Sequence, residues 1–243
     1  MSRTLVIGDI HGALRALEDL LAKLSLEDDD RLIFLGDYVD GWSESAAVLE
    51  YLIRLNQRQS CLFIKGNHDL WCEEWLEGKF PDPAWIFHGG LATLESYIET
   101  TPEMRLSHLE FLQKMVLYHV DEENRLFVHA GFSSMKGPHN ERFPSTFTWD
   151  RTLLEMAVAM DGRMKPISKR YPKRLQLFKE IFIGHTPTTN YDKTVPMRAC
   201  NVWDVDTGAA FLGRLSALDI DTKEFWQSEV VQTLYPLEKG RNP

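Results

Sequence analysis

Near its amino terminus the chain repeats one pattern three times: an apolar run of strand length that ends in a glycine-marked turn crowded with acids, amides or imidazoles. The stretches are TLVIGDIHG (residues 4–12), LIFLGDYVDG (residues 32–41) and CLFIKGNHD (residues 61–69). Short apolar runs bounded by such turns read as buried strands. Between the first two, ALRALEDLLAKL sets Leu14, Leu17, Leu21 and Leu24 on one helical face, and a second helix is expected from about Ser43 to Asn56. The order β-α-β-α-β specifies an α/β fold with a mostly parallel sheet, whose ligands bind at the carboxyl ends of the strands. A turn followed by a helix cap accounts for Ser43 but leaves Asp37, three residues before Asp40, without a role.

Residues 70–116 read as helical, with breaks at PDP and at Gly89 and Gly90. From Leu117 short strands dominate: LYHV, RLFVHAG, IFIGH, ACNVWDVD and AAFLGRLSALDI, with a helical stretch from Arg151 to Met160 among them. A chain of 243 residues can bury one core, and with no linker or internal repeat a single domain over residues 1–243 is expected. The chain enters a strand at once, without an apolar stretch long enough to span a bilayer, so no membrane partner and a cytoplasmic location are expected. Cys61, Cys72 and Cys200 have no paired spacing and read as inert thiols. The net charge of -9 argues against a nucleic-acid partner. The exception is the run RMKPISKRYPKR, Arg163 to Arg174, with six basic residues. A charge run of this kind is usually a solvated face, the alternative being a lip that steers a phosphorylated partner.

Five strand ends carry the same chemistry: Asp9 and His11; Asp37 and Asp40; Asn67, His68 and Asp69; His129; and His185. Residues two apart in an extended segment point the same way, so Asp9 and His11 can reach one point. Oxygen and imidazole ligands without thiolates suit Mn, Fe or Zn. A carboxylate such as Asp37 can bridge two divalent ions about 3.5 to 4 Å apart. Two such ions, two carboxylates and a hydroxide leave roughly +1, a site that attracts a phosphate dianion. The reaction this composition selects is phosphoester hydrolysis.

The motifs GDIHG, GDYVDG, GNHD, VHAG and GHTP, with WIFHGGLATLESY, FTWDR and DTGAAFLGRLSAL, resemble those of the metal-dependent phosphoprotein phosphatases of the bacterial and phage lambda type. The resemblance runs from Thr4 to Asp219 and implies a calcineurin-like αββα sandwich of two mixed sheets flanked by helices. It implies Asp9 and His11 on one metal, Asp37 as the bridge, and Asn67, His129 and His185 on the second metal. His68 would be the general acid, oriented by Asp40, with a metal-bridging hydroxide as nucleophile. Two divalent ions are expected as cofactors, manganese first. The substrate would be a phosphorylated protein or a small phosphoester. The function implied is a Ser/Thr protein phosphatase, with phosphotyrosine also admitted; the alternative is a symmetrical diadenosine tetraphosphatase or related nucleotide pyrophosphatase.

Two positions depart from the family pattern. The motif usually written GDxVDRG has Gly41 in place of its phosphate-binding arginine, which leaves Arg151 of FTWDR as the phosphate clamp. Asp69 stands where many protein phosphatases have Glu, which bears on the substrate more than on the fold. His88, His108, His119 and His139 read as surface or core residues, and Trp42 as either a groove wall or a half-buried packing residue.

Overall fold

A computed structural model describes residues 2–242 as two five-stranded mixed sheets. The amino-terminal half supplies β1 (Thr4–Ile7), β2 (Arg31–Phe34) and β3 (Ser60–Phe63), joined through α1 (Leu14–Leu24) and α2 (Ser45–Leu55). These strands are parallel, in register Leu5↔Leu32↔Cys61. The middle is helical: α3 (Asn67–Leu76), α4 (Pro83–Trp85), a wide turn over Ile86–Gly90, α5 (Leu91–Ser96) and α6 (Pro102–Gln113). The second sheet follows with β4 (Tyr118–Val120), β5 (Arg125–Val128), β6 (Glu180–Ile183), β7 (Met197–Ala199) and β8 (Val202–Asp204). Three short helices, α7 (Thr146–Trp149), α8 (Thr152–Val158) and α9 (Lys173–Gln176), lie between β5 and β6. The chain then returns to the first sheet with β9 (Ser216–Asp219) and β10 (Phe225–Gln227), antiparallel strands on its β1 edge, and closes with α10 (Val231–Leu234).

Side-chain alternation explains the layers. In β1, Leu5 and Ile7 join the core under α1 and α2, while Val6 faces the other sheet; in β2, Leu32 and Phe34 face the helices and Ile33 faces inward. The second sheet does the same, with Leu126 and Val128 toward its own helices and Phe127 turned inward onto Phe182, their rings stacked at 5.2 Å. The inner strands β1, β2, β5 and β6 are apolar on both faces, which is why the sequence shows continuous runs there and not alternation. The result is an αββα sandwich.

The expected strand AAFLGRLSALDI is a strand only over Ser216–Asp219, because the stretch before it turns back on itself through Gly208 and Gly213. ACNVWDVD divides into the β7–β8 hairpin, with Cys200 left-handed at its turn. Neither β10 nor α10 was apparent from sequence pattern. Among the described residues, no helix is long and apolar enough to cross a membrane.

Candidate metal centre and active site

The carboxyl ends of β1, β2, β3, β5 and β6 converge on one cleft, and each delivers the residues expected from its motif. Asp9, His11, Asp37, Asp40, Asn67, His68, His129 and His185 are all buried. Asp37 lies at the centre: its Oδ2 is 3.4 Å from His129 Nε2, 3.6 Å from His11 Nε2 and 4.0 Å from His68 Nε2. Asp9 Oδ2 is 3.9 Å from His11 Nε2, and Asn67 Oδ1 is 3.2 Å from His129 Nε2. Two overlapping ligand groups result, His11–Asp37–His68 and Asp37–His129–His185, with Asp37 common to both.

The backbone is bent to achieve this. His11, Asp37, Asp40 and His185 have φ of 52°, 53°, 76° and 69°, left-handed conformations that are costly for residues with a side chain and that recur at functional sites. Asp69 organises the crossing, accepting hydrogen bonds from the amides of Gly66, Asp37 and Tyr38 at 2.7 to 2.8 Å. Asp37 in turn accepts the His68 amide at the amino terminus of α3, at 3.0 Å, where the helix end favours negative charge. Only glycine fits at 66, since a Cβ there would lie 2.1 Å from Asp37 Oδ1.

The donor set fits divalent metals. Burial, with the charges of Asp206 and Asp37, pushes the Asp9 carboxyl well above its ordinary range, the mark of acids lacking a counter-charge. Burial likewise drives His185 down to about 2 and His11 well below its usual value, which leaves neutral rings with lone pairs to donate. Burial opposes ionisation of Asp37, but His129, His68 and His11 outweigh it and hold the carboxylate well below its ordinary value. Asp9 Oδ1 and His185 Nε2 are buried without a hydrogen-bond partner. His129 Nδ1 is fixed by Leu35 O at 2.8 Å and His11 Nδ1 meets Val39 O at 3.2 Å, so both rings aim Nε2 at the centre.

Beside this cluster sits the expected acid pair. His68 Nδ1 is 2.5 Å from Asp40 Oδ2. Asp40 is fully buried and also accepts Trp85 Nε1–H at 2.7 Å and the Thr93 hydroxyl at 2.6 Å. Trp85 and Thr93 come from the helical middle, as WIFHGGLATLESY, and hold the pair from behind. Arg151 lies exposed at the cleft, at the start of α8.

Several assignments change. Trp42 is fully buried, its indole N–H on Ala209 O at 2.8 Å and its ring stacked on Tyr235, so it walls no groove. His88 lines the cleft, stacked on Trp71, and Trp149 joins them. His108 stays as read, a core residue buried against the Tyr97 hydroxyl. The basic run separates: Arg174 turns inward to Phe132 O at 2.7 Å and Thr152 Oγ1 at 3.0 Å, while Arg163 pairs with Asp161 on the surface. Among the cleft residues that sequence reading missed are Asp206 and Arg241. Asp206 lies in the run NVWDVDTG, one more strand followed by a polar glycine turn, so its signal was present. Arg241 had none. A second hollow of 850 Å³, whose lining includes Tyr171, Tyr191 and Met197, meets the cleft at Asn190.

Carboxylates and imidazoles at the ends of parallel strands define a metal-dependent hydrolase site. The chain belongs to the calcineurin-like phosphoesterases, whose family model matches residues 2–212. It is 26% identical over 234 residues to the bis(5'-nucleosyl)-tetraphosphatase PrpE [asymmetrical] of Oceanobacillus iheyensis, covering 90% of this chain and 89% of that one. The protein of the same name from Bacillus thuringiensis is 28% identical over 229 residues, 88% of each chain. A metallophosphoesterase structure from Sphaerobacter thermophilus superposes with a TM-score of 0.58 at 17% identity, covering 97% of this chain and 95% of that one.

Proposed function

We propose that the chain, acting as one domain, is a two-metal hydrolase of dinucleoside polyphosphates, the substrate class in the names of the PrpE relatives. The protein phosphatase of the lambda type, first on motif resemblance, becomes the second reading, because the motifs serve both chemistries and no curated relative described above is named for a phosphoprotein. One observation carries the choice. The mouth of the cleft is aromatic: Trp149 is 45% exposed, 5.2 Å edge-on to Trp71, on which His88 is stacked. Exposed flat rings beside a phosphate site suit a purine base. The adjoining hollow at Asn190 gives an extended substrate room beyond the cleft.

Asp9 and His11 would hold one divalent ion and Asn67, His129 and His185 the other, with Asp37 shared; manganese is expected, iron or zinc the alternatives. When bound, the metals supply an activated water near neutral pH and offset phosphoryl charge. Arg151 grips phosphoryl oxygens through its planar fork. His68 keeps Nδ1 on Asp40 and presents Nε2 to the cleft, where it gives a proton to the departing oxygen. Asp40, fixed by Trp85 and Thr93, holds the ring in that orientation.

The test is a substrate comparison on manganese-reconstituted protein. Diadenosine tetraphosphate should be consumed faster than a phosphoserine peptide, giving ATP and AMP if cleavage is asymmetric as in the relatives' names, and two ADP if symmetric. Turnover of the phosphopeptide with none of the dinucleotide would install the protein phosphatase reading instead.

A further inference from the structure

The segment after β2 poses the sharpest problem, since Gly41 stands where the motif has a phosphate-binding arginine. Its φ is +95°, and a Cβ built on it would lie 3.0 Å from Cγ and 3.5 Å from Cδ of Arg241. A Cβ at Gly89 would lie 3.3 Å from the same Cγ. The space over Gly41 is thus filled by an arginine from the other end of the chain, which lines the cleft with Arg151 and His68.

We propose that Arg241 is a phosphate-binding residue of this site, a clamp supplied by the carboxyl-terminal segment in place of the arginine missing at position 41. The proposal rests on the reading of the cleft as a phosphoester site.

The guanidinium is held, and among the described residues it forms no ion pair. Its amide donates to Ala210 O at 2.9 Å, and its Cζ lies 5.4 Å from the Phe211 ring centre. Among the described residues its one side-chain hydrogen-bond partner is His11 Nε2, 3.3 Å from Nη1. That is the nitrogen aimed at Asp9 and Asp37, and a metal would take its lone pair. The N–H groups are then left facing the cleft, where an anion is the matching acceptor.

The residues that follow Gly41 are the dock for this segment. Trp42 stacks on Tyr235 at 5.1 Å, and the Tyr235 hydroxyl bonds Glu44 and accepts the Arg15 amide. Glu238 accepts the Ser43 amide at 3.0 Å and its hydroxyl at 2.8 Å. Gly240 lies flat on Trp42, where a Cβ would come within 2.6 Å of the indole. Glycine at 41 makes the room, and Trp42, Ser43 and Glu44 hold the strap that fills it. Gly41→Arg would therefore not restore a clamp, since arginine there must be left-handed and would collide with Arg241.

The test uses Arg241→Ala, Arg241→Lys and a chain ending at Gly240, each reconstituted with manganese. Orthophosphate affinity is measured by titration calorimetry, metal content by elemental analysis, and kcat and KM with p-nitrophenyl phosphate. Arg241→Ala and the shortened chain should keep the wild-type metal content and lose at least about tenfold in phosphate affinity and kcat/KM, the scale of one charge-assisted pair. Lysine should recover part, and guanidinium ion should reactivate Arg241→Ala but not the wild type. Unchanged phosphate affinity and kcat/KM in Arg241→Ala would overturn the proposal, as would loss of metal, which would make Arg241 a support for His11. A metal-loaded wild type that neither binds phosphate nor cleaves phosphoesters would instead overturn the reading of the whole site.

Discussion

Replacing Asp40 by Asn separates orientation of the acid from its chemistry. Asp40 Oδ2 accepts from both His68 Nδ1 and Trp85 Nε1, and Oδ1 accepts from Thr93. An asparagine can keep its one oxygen toward His68 and Trp85 and turn its amide to Thr93, whose hydroxyl reverses to accept. Geometry survives while the charge facing the imidazolium is lost. A hydrogen bond to a charged group is worth about 1.5 to 3 kcal/mol, so kcat on an alkyl phosphate should fall about ten- to a hundredfold. p-Nitrophenyl phosphate and diadenosine tetraphosphate, whose leaving groups need little proton assistance, should lose less. Stopped assays on glycerol phosphate and both other substrates, with metal content measured in parallel, give the ratio. Equal losses on all three, or loss of metal, would refute the assignment of His68 and Asp40 as an acid pair.

Arg151→Ala should raise KM and lower kcat/KM by at least about tenfold in steady-state assays, since one of the cleft's guanidiniums is removed. Asp37→Asn should lose both metal and activity, because both ligand groups share that carboxylate; full occupancy by elemental analysis would exclude it as the bridge. Arg174→Ala should cost about 3 kcal/mol in urea unfolding, since it removes the cation 3.5 Å from Asp150 and leaves the Phe132 carbonyl without that donor. Hydrogen bonds from Arg3 draw the buried Asp30 carboxyl from 3.8 down to about 2. A folded value below the unfolded one adds stability above pH 4 or so, about 2 kcal/mol, that disappears as pH falls toward 2; Arg3→Met should flatten that part of the acid-unfolding curve.

That these residues gather at one cleft was legible because each is tied to a local signal. A strand that ends in a glycine-marked turn with a carboxylate, amide or imidazole announces its own role, and five such ends can converge only at one edge of a sandwich. The support for Asp40 was less visible: Trp85 and Thr93 sit in a helical stretch where tryptophan normally reads as core, and only the fold shows the indole N–H spent on a carboxylate. The basic run is a solvated face as expected except at its end, since charge density along a sequence does not reveal that Arg174 turns inward while its neighbours remain in solvent.

Position 41 shows where local reading ends. Motif comparison treats its glycine as a loss, because the comparison runs along the chain and the compensating side chain lies 241 − 41 = 200 residues on. The compensation is physical and not sequential: a left-handed glycine opens a volume, a buried tryptophan next to it offers a face for a returning segment, and the arginine of that segment enters the volume. Trp42, with two readings open from sequence, gains its purpose from the same contact. A departure at one clamp and an unplaced aromatic beside it are thus one feature, and neither has a separate explanation once the carboxyl-terminal strap lies across them.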